Sequence, residues 1–216
     1  MREVVGAGVN TALFFAIQYG LVDKVRSLIR DGSDVNFVTK RGDTPLLMAL
    51  KLYRNDISIM LIKSGADINK KDGYGITPIH ICIDVFNIPM IEMLINQGAN
   101  LNVTWNDLTP LALACKHQNE QIVDYLLGHG AHITDVAIIH AFKVDNEVIM
   151  DSLLRAGGHI SVSALQICAS IQEKKRNKNM LYQLEIILIL TWCNHPNNIL
   201  KCIPEEIWVG VFEMMH

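Results

Sequence analysis

Apolar and polar positions recur along this chain in a unit of about thirty-three residues. The unit is marked by glycines, because Gly32, Gly65, Gly98 and Gly130 are separated by 33, 33 and 32 residues, and Gly157 follows 27 residues later. An apolar pair precedes each glycine, and in the first three units a short polar and apolar alternation follows it. Repetition at this period predicts one small supersecondary unit that buries its apolar face against its own copies.

Each part of the unit predicts a local structure. Thr44, Thr77 and Thr109 are each followed by proline, whereas Thr11 occupies the same position without one. Threonine can accept hydrogen bonds from the free amides at a helix start, and proline at the first helical position loses no bond there. The threonine is therefore expected to begin a first helix. Five residues later comes a small residue that lets a neighbouring helix approach, namely Ala16, Ala49, Cys82, Ala114 or Ala141.

The apolar pair and the glycine predict a second helix and its end. The pairs are Leu28-Ile29, Leu61-Ile62, Leu94-Ile95, Leu126-Leu127 and Leu153-Leu154. Glycine adopts the left-handed backbone that commonly ends a helix. The alternation that follows, as in Ala66-Asp67-Ile68-Asn69, predicts a short extended segment leading into a turn. The unit is thus a helix, a turn, a second helix and a hairpin.

The third unit carries a family resemblance. Thr77-Pro78-Ile79-His80, followed by Leu94-Ile95 and Gly98-Ala99-Asn100-Leu101-Asn102, resembles the ankyrin repeat, and residues 9–160 share the pattern. The resemblance implies an all-α repeat solenoid with short β-hairpin loops, whose hairpins and first helices form a concave face. His80 stands where the family often has histidine, which implies a structural role at the helix start.

The domain prediction follows from departures from the repeat. Residues 1–160 are assigned to about five ankyrin repeats, of which the first resembles an N-terminal cap because Thr11-Ala12 lacks proline. The fifth has lost its hairpin finger, because Ile133–Ala141 is about five residues too short. Residues 161–216 are assigned to a degenerate sixth repeat, with helices at Ser161–Ile171 and Leu181–Cys193, and to C-terminal capping or F-box-like helices.

Composition narrows the class of protein. Half of the 216 residues are apolar and 19% are charged, which excludes an intrinsically disordered chain. The net charge of −3 lacks the footprint of a general nucleic-acid binder. No apolar run approaches the 18 residues of a membrane span, and no secretory signal peptide is recognisable. We therefore expect no nucleic-acid partner and no membrane insertion.

The five cysteines are interpreted as reduced thiols in a cytosolic-type compartment. They are odd in number and scattered through apolar segments, unlike a disulfide framework. A zinc site formed by Cys193, His195 and Cys202 is the weaker alternative, because it lacks a CxxC pair and a clear fourth ligand. The predicted localisation is cytoplasmic. The basic run Lys174-Lys175-Arg176-Asn177-Lys178 leaves a nuclear location open, although a solvated loop is the simpler interpretation.

Motifs of catalysis are missing from the sequence. It contains no glycine-rich phosphate loop, nucleophile elbow or HExxH motif, so we expect no enzyme, no cofactor, no catalytic residue and no metal. Two alternatives remain open. One is an enzyme hidden in residues 161–216, and the other is a purely structural spacer.

The resemblance implies a binding function, since ankyrin repeats bind proteins through hairpin tips and the exposed face of their first helices. We expect a monomer that binds a protein partner. The partner-binding residues predicted by the repeat register are Tyr19, Lys40, Arg41, Met48, Leu52, Tyr74, Ile76, Trp105, Asn106, Leu108 and His117. This set is rich in aromatic and apolar side chains, which are enriched at interaction sites.

The C-terminal segment carries a second resemblance. Ile203-Pro204-Glu205-Glu206-Ile207 begins like a helix, with proline and acidic residues in the first turn. With the apolar residues that follow, it resembles the opening helix of an F-box, in an arrangement similar to poxviral and intracellular-bacterial ankyrin proteins. The resemblance implies a Skp1-type ubiquitin ligase adaptor as partner, and the host cytosol as location. The adaptor-binding residues would be Ile203, Pro204, Glu206, Ile207, Trp208, Val211 and Phe212; the alternative is a helix that only caps the repeat stack.

Overall fold

The structure of the chain is a computed structural model that describes residues 2–159, 161, 164, 166–168, 170 and 171. It divides into two compact units, Met1–Asn106 and Asp107–His216. The helices of unit 1 are α1 (Arg2–Gln18), α2 (Val22–Arg30), α3 (Pro45–Lys51), α4 (Asn55–Lys63), α5 (Pro78–Asp84) and α6 (Ile88–Asn96). Those of unit 2 are α7 (Pro110–Lys116), α8 (Glu120–Gly128), α9 (Asp135–Val144) and α10 (Glu147–Arg155). The fold is the predicted all-α repeat solenoid.

The first helices begin at the predicted threonines wherever proline follows. The Thr44 hydroxyl accepts a hydrogen bond from the Leu47 N–H at 3.2 Å, and Thr109 accepts from Ala112 N–H at the same distance. In α5 the Thr77 hydroxyl instead pairs with His80 Nδ1 at 2.8 Å, and both side chains are buried. The prediction of a structural His80 at the helix start is therefore confirmed, with the Thr77 side chain as a partner.

The prediction that Thr11 begins a helix is wrong. Helix α1 begins at Arg2 and passes through Thr11, so it has 17 residues where α3, α5 and α7 have seven. Proline restricts the residue before it to extended backbone, as at Thr44 with ψ 162°. Ala12 imposes no such restriction and favours helix, so nothing interrupts α1 at Thr11.

The second helices end at the repeated glycine as predicted. After α2, the Gly32 N–H donates to Ile29 O at 3.1 Å and the Ser33 N–H donates to Leu28 O at 3.0 Å, which is the Schellman pattern. Gly32 has φ +88°, and nothing crowds the place where its Cβ would be. The left-handed backbone, rather than lack of space, therefore favours glycine here.

The predicted apolar positions form the cores of both units. In unit 1, α1 packs on α2 and α3, and α3 packs on α4 and α5. The small residues Ala16, Ala49 and Cys82 are at most 2% exposed, which confirms their role at the helix contacts. In unit 2, α7 packs on α8 and α9, and α10 packs on both α8 and α9. Ala114, Ala141 and the Leu126 of α8 are fully buried there.

The loops between repeats are tight turns rather than extended hairpins. The segment before α3 is closed by the Thr39 N–H donating to Asp43 O at 2.9 Å, and that before α5 by Asp72 N–H donating to Ile76 O at 2.9 Å. Neither segment contains a β-strand. Only residues 131–134 lie between Ala131 and the start of α9, which confirms that the fifth repeat has no finger.

Asparagines of the predicted alternation join neighbouring repeats in unit 1. The Asn36 amide donates to Gly65 O at 3.0 Å and accepts from the Asp67 N–H at 2.7 Å. The Asn69 amide makes the same pair of bonds to Gly98 O and the Asn100 N–H, at 3.4 and 2.8 Å. Each asparagine thus connects its own loop to the backbone one repeat further along the chain.

Three findings bound the rest. A membrane crossing would need a longer and more apolar helix than any in the described part of the chain. Positions 164, 166–168, 170 and 171 are helical, within the predicted Ser161–Ile171 helix. The second predicted helix, Leu181–Cys193, and the basic run at 174–178 lie outside the described residues.

Candidate partner-binding surface

Two successive turns of unit 1, residues 39–43 and 72–76, form the tips predicted to contact a partner. In the first, the Thr39 hydroxyl accepts a hydrogen bond from the Asp43 N–H at 3.0 Å. In the second, Asp72 occupies the same register position, and its Oδ1 accepts from the N–H groups of Tyr74 and Ile76, both at 2.9 Å. A side-chain oxygen inside each turn therefore holds the backbone of its tip.

The two turns touch through their backbones. The Gly73 N–H donates to Arg41 O at 3.3 Å. A Cβ on Gly42 would overlap the backbone of Gly73, and a Cβ on Gly73 would lie 2.6 Å from Arg41 O. Glycine is needed at both positions because the approach is too close for a side chain. The contact brings the residues on either side of Arg41 and Gly73 onto one surface.

Lys51, at the end of α3, connects both turns to the helix. Its ammonium lies 2.7 Å from Asp43 Oδ1 and 2.9 Å from Asp72 Oδ2. The Asp72 carboxylate is 1% exposed, whereas the side chains of Lys51 and Asp43 are 37% and 25% exposed. Asp72 therefore has bonds to both oxygens, which a buried carboxylate requires.

The electrostatics of this group favour its charged form. Burial alone would raise the pKa of Asp72, but hydrogen bonds from Lys51, Ile76 and Tyr74 and the Lys51 charge outweigh it, so the pKa lies below its ordinary value. Burial alone would lower the pKa of Lys51, but its bonds to Asp43 and Asp72 and their charges raise it above the ordinary value. The ion pair is thus stable across the neutral pH range.

The predicted tip residues of unit 1 are mostly exposed. Tyr74 is 79% exposed, and Lys40 and Arg41 project from the preceding turn. Ile76 is half-buried beneath the tip. Asn106 is exposed, with a left-handed backbone of φ 47°. Lys40, Arg41, Tyr74 and Asn106 are therefore available to a partner.

Trp105 has a structural contact as well as an exposed edge. It is half-buried, and its ring lies 6.1 Å from the His80 ring in an edge-on arrangement. His80 is itself held by Thr77 at the start of α5. The indole therefore packs against the preceding repeat, and only part of it can meet a partner.

The first helices of unit 1 add an apolar row beside the tips. Phe15 and Tyr19 of α1 are 57% and 62% exposed, and their rings stack at 6.1 Å. Met48 and Leu52 occupy the same register positions one repeat later, on α3; Met48 is half-buried and Leu52 is 38% exposed. Because α1 packs on α3, these four residues form one apolar row.

The predicted residues of unit 2 are less accessible. Leu108 is 8% exposed and belongs to the core, where it cannot serve as a contact without rearrangement. His117, at the end of α7, is half-buried. Burial lowers the pKa of the nearby sequence neighbour in the register, His140 of α9, and the charges of Lys143 and Lys116 lower it further. Unit 2 therefore contributes little exposed apolar surface at the predicted positions.

Three residues of this surface were not among the predicted contacts. Lys70 and Lys71 are exposed and stand just before the second tip turn, and Asp72 holds that turn. The paired lysines were visible in the sequence beside the predicted tip. The role of Asp72 was not, because the same register position holds Thr39 in one repeat and Trp105 in another.

Other candidate chemistry is buried or lies elsewhere. Cys82, Cys115 and Cys168 are free and buried, and burial raises the pKa of each thiol to about 12. This confirms three of the cysteines as reduced core thiols. The zinc alternative at Cys193, His195 and Cys202 and the whole F-box-like set from Ile203 to Phe212 lie outside the described residues.

Comparison with known families agrees with the fold. The family described as "Ankyrin repeats (3 copies)" matches residues 2–72 and 60–137, which is more than half of the chain. The protein belongs to the ankyrin-repeat family. Among curated proteins, no sequence matches the chain.

Proposed function

We propose that this protein is a non-enzymatic binding module that holds a partner protein on unit 1. The single observation that carries the proposal is the continuity of the tip turns with the apolar row. Lys51 connects α3 to both turns, and Leu52 stands next to it in the sequence. Exposed aromatic and aliphatic side chains next to fixed polar turns are typical of interaction sites.

The rigidity of the tips supports the proposal. Side-chain bonds from Thr39 and Asp72, the Gly42–Gly73 contact and the Lys51 bridge all hold the turns in place. A surface that is ordered before binding loses less entropy when the partner arrives. The tip side chains can therefore contribute most of their contact energy to affinity.

The test is affinity capture from a eukaryotic cell lysate with matched variants. Tyr74→Ala combined with Leu52→Ala removes two exposed contact residues, and Tyr53→Ala is the control. Tyr53 is 65% exposed and lies at the opposite end of α3 from the tips. We expect the double variant to lose proteins that the wild type and the control retain. Equal capture by all three, with helical circular dichroism intact, would refute the proposal.

A second candidate is a substrate adaptor that recruits a Skp1-type ubiquitin ligase, in a viral or bacterial effector acting in host cytosol. Its support is the sequence alone, namely the apolar-Pro-x-Glu opening at Ile203–Glu206 and the apolar rows after it. The test is a pull-down with a purified Skp1-type adaptor, comparing the full chain with one that ends at Asn198. Binding by the full chain only is expected, and no binding by either would end the adaptor idea.

We also propose the cytoplasm as the compartment. The three buried, unpaired thiols are consistent with a reducing environment. Fractionation of cells that express the tagged chain tests this location.

A further inference from the structure

We infer that the tip surface of unit 1 selects an acidic segment of its partner protein, an inference that rests on the proposed binding function. The tip surface is defined as Lys40, Arg41, Lys70, Lys71 and Tyr74. All five side chains are exposed. They come from two turns that are in backbone contact at Arg41 and Gly73.

The four cations of the tip surface are not neutralised within the described part of the chain. None of their side chains forms an ion pair or hydrogen bond there. The carboxylates of the same turns, Asp43 and Asp72, are both bound to Lys51. Four positive charges therefore face solvent, in a protein whose net charge is −3. Such a local concentration of one charge attracts ligands of the opposite sign.

The surroundings favour a peptide over a nucleic acid or an anionic membrane. Tyr74 lies among the cations and is 79% exposed, and the apolar row is next to Lys51, which holds the turns. A peptide with acidic and apolar side chains can match both parts at once. The net negative charge of the whole chain opposes the long-range attraction that a polyphosphate or a membrane surface requires.

The experiment selects binders from a phage-displayed library of random peptides against the full-length protein. We expect the selected peptides to be enriched in Asp and Glu relative to the library. Their affinities are then measured by fluorescence anisotropy. Affinity should fall as NaCl is raised from about 50 to about 500 mM, because salt screens exposed charges.

Charge-reversal variants assign the effect to the tip surface. Arg41→Glu with Lys71→Glu should weaken binding of the selected peptides by about tenfold or more, since it reverses one cation on each turn. Lys24→Glu with Lys63→Glu makes the same charge change on the exposed second helices α2 and α4, and should stay within about twofold of wild type. Arg41→Gln with Lys71→Gln, expected to show an intermediate loss, replaces the reversal variant if that variant does not fold.

The outcomes separate this inference from the proposed function. Peptides that lack acidic enrichment, or that bind the reversal variant as well as wild type, refute the acidic assignment; if Tyr74→Ala still weakens them, the binding function stands. Failure to select any peptide counts against both. A fluorescent single-stranded oligonucleotide or phosphatidylserine vesicles bound more tightly than the peptides, with the same dependence on Arg41 and Lys71, would also overturn it.

Discussion

The Asp72 carboxylate, 1% exposed, receives two backbone N–H groups at one oxygen and the Lys51 ammonium at the other. Its negative charge therefore organises the second tip turn and connects that turn to α3. A buried carboxylate of this kind stabilises only while its bonds remain complete, because an unpaired buried charge is costly. Two predictions at the scale of the residue follow from this arrangement.

The first concerns Asp72→Asn. The amide keeps an oxygen for the Tyr74 and Ile76 N–H groups but loses the charge that attracts Lys51. We expect the free energy of unfolding to fall by about 1–3 kcal/mol, the range for hydrogen bonds to charged groups. Urea denaturation measures it. Asp43→Asn is the control and should cost less than about 1 kcal/mol, because the Asp43 side chain is 25% exposed and solvent screens its pairing.

The second concerns pH. The pKa of Asp72 is lower in the folded protein than its ordinary value of 3.8, so the unfolded chain binds the proton more readily. The contribution of Asp72 to stability is therefore present above about pH 3.8 and is lost as the pH falls through the lower, folded-state pKa. Urea titrations from pH 7 downward should show a constant gap between wild type and Asp72→Asn that narrows below pH 3.8. A gap that stays constant into strong acid would contradict the assignment.

At the scale of the element, helix starts distinguish the repeats. Thr44 accepts the Leu47 N–H at the start of α3, whereas Thr11 lies inside α1. Thr44→Ala should cost about 1 kcal/mol, the usual value of a lost N-cap. Thr11→Ala is the matched control and should change stability by less than about 0.5 kcal/mol, since alanine is the better helix former. Thermal unfolding followed by circular dichroism compares the two, and equal losses would refute the assignment of Thr11 to the helix interior.

The repeat pattern predicted most of these elements correctly because its signals are local. Thr-Pro, the small residue and the terminal glycine each act within one turn of helix, so the residues alone define α3, α5 and α7. The start of α1 was missed because the missing proline was interpreted as a variant cap rather than as a helix that continues. The loops were predicted as hairpins, but Asp72 and Thr39 close them as turns through side-chain bonds that periodicity does not reveal.

At the scale of the whole molecule, neighbouring repeats are connected by asparagine side chains. The amide of Asn36 binds Gly65 and Asp67, and that of Asn69 binds Gly98 and Asn100. In a repeat protein, stability is the sum of the repeats and of the interfaces between them. Loss of one such connection should therefore weaken one interface and leave the other intact.

Hydrogen exchange with reciprocal variants tests this. Asn36→Ala removes the acceptor of the Asp67 N–H and should speed exchange at Asp67 but not at Asn100. Asn69→Ala removes the acceptor of the Asn100 N–H and should do the reverse. Each variant is the control for the other. Similar acceleration at both amides would mean that the two interfaces open together.

The candidate site could be predicted less completely than the fold. Tyr74, Lys40 and Arg41 are exposed as the register predicted, but Leu108 lies in the core and Trp105 packs on His80. Register predicts which part of a repeat a residue occupies, whereas burial depends on the side chains of the next repeat. The charge of the tip surface was missed for the same reason, because only the contact between the two turns brings Lys71 beside Arg41.

Buried thiols allow the opening of the molecule to be measured in both units. Cys82, in unit 1, and Cys115 and Cys168, in unit 2, are fully buried, and burial raises each pKa from 9.0 to about 12. At about pH 8 this lowers the thiolate fraction roughly a thousandfold, and the thiolate is the reactive form. Iodoacetamide should therefore modify these three cysteines at least about a thousandfold more slowly in the native protein than in urea, as measured by peptide mass spectrometry. Rapid native labelling of one thiol, with the other two protected, would identify a repeat that opens locally.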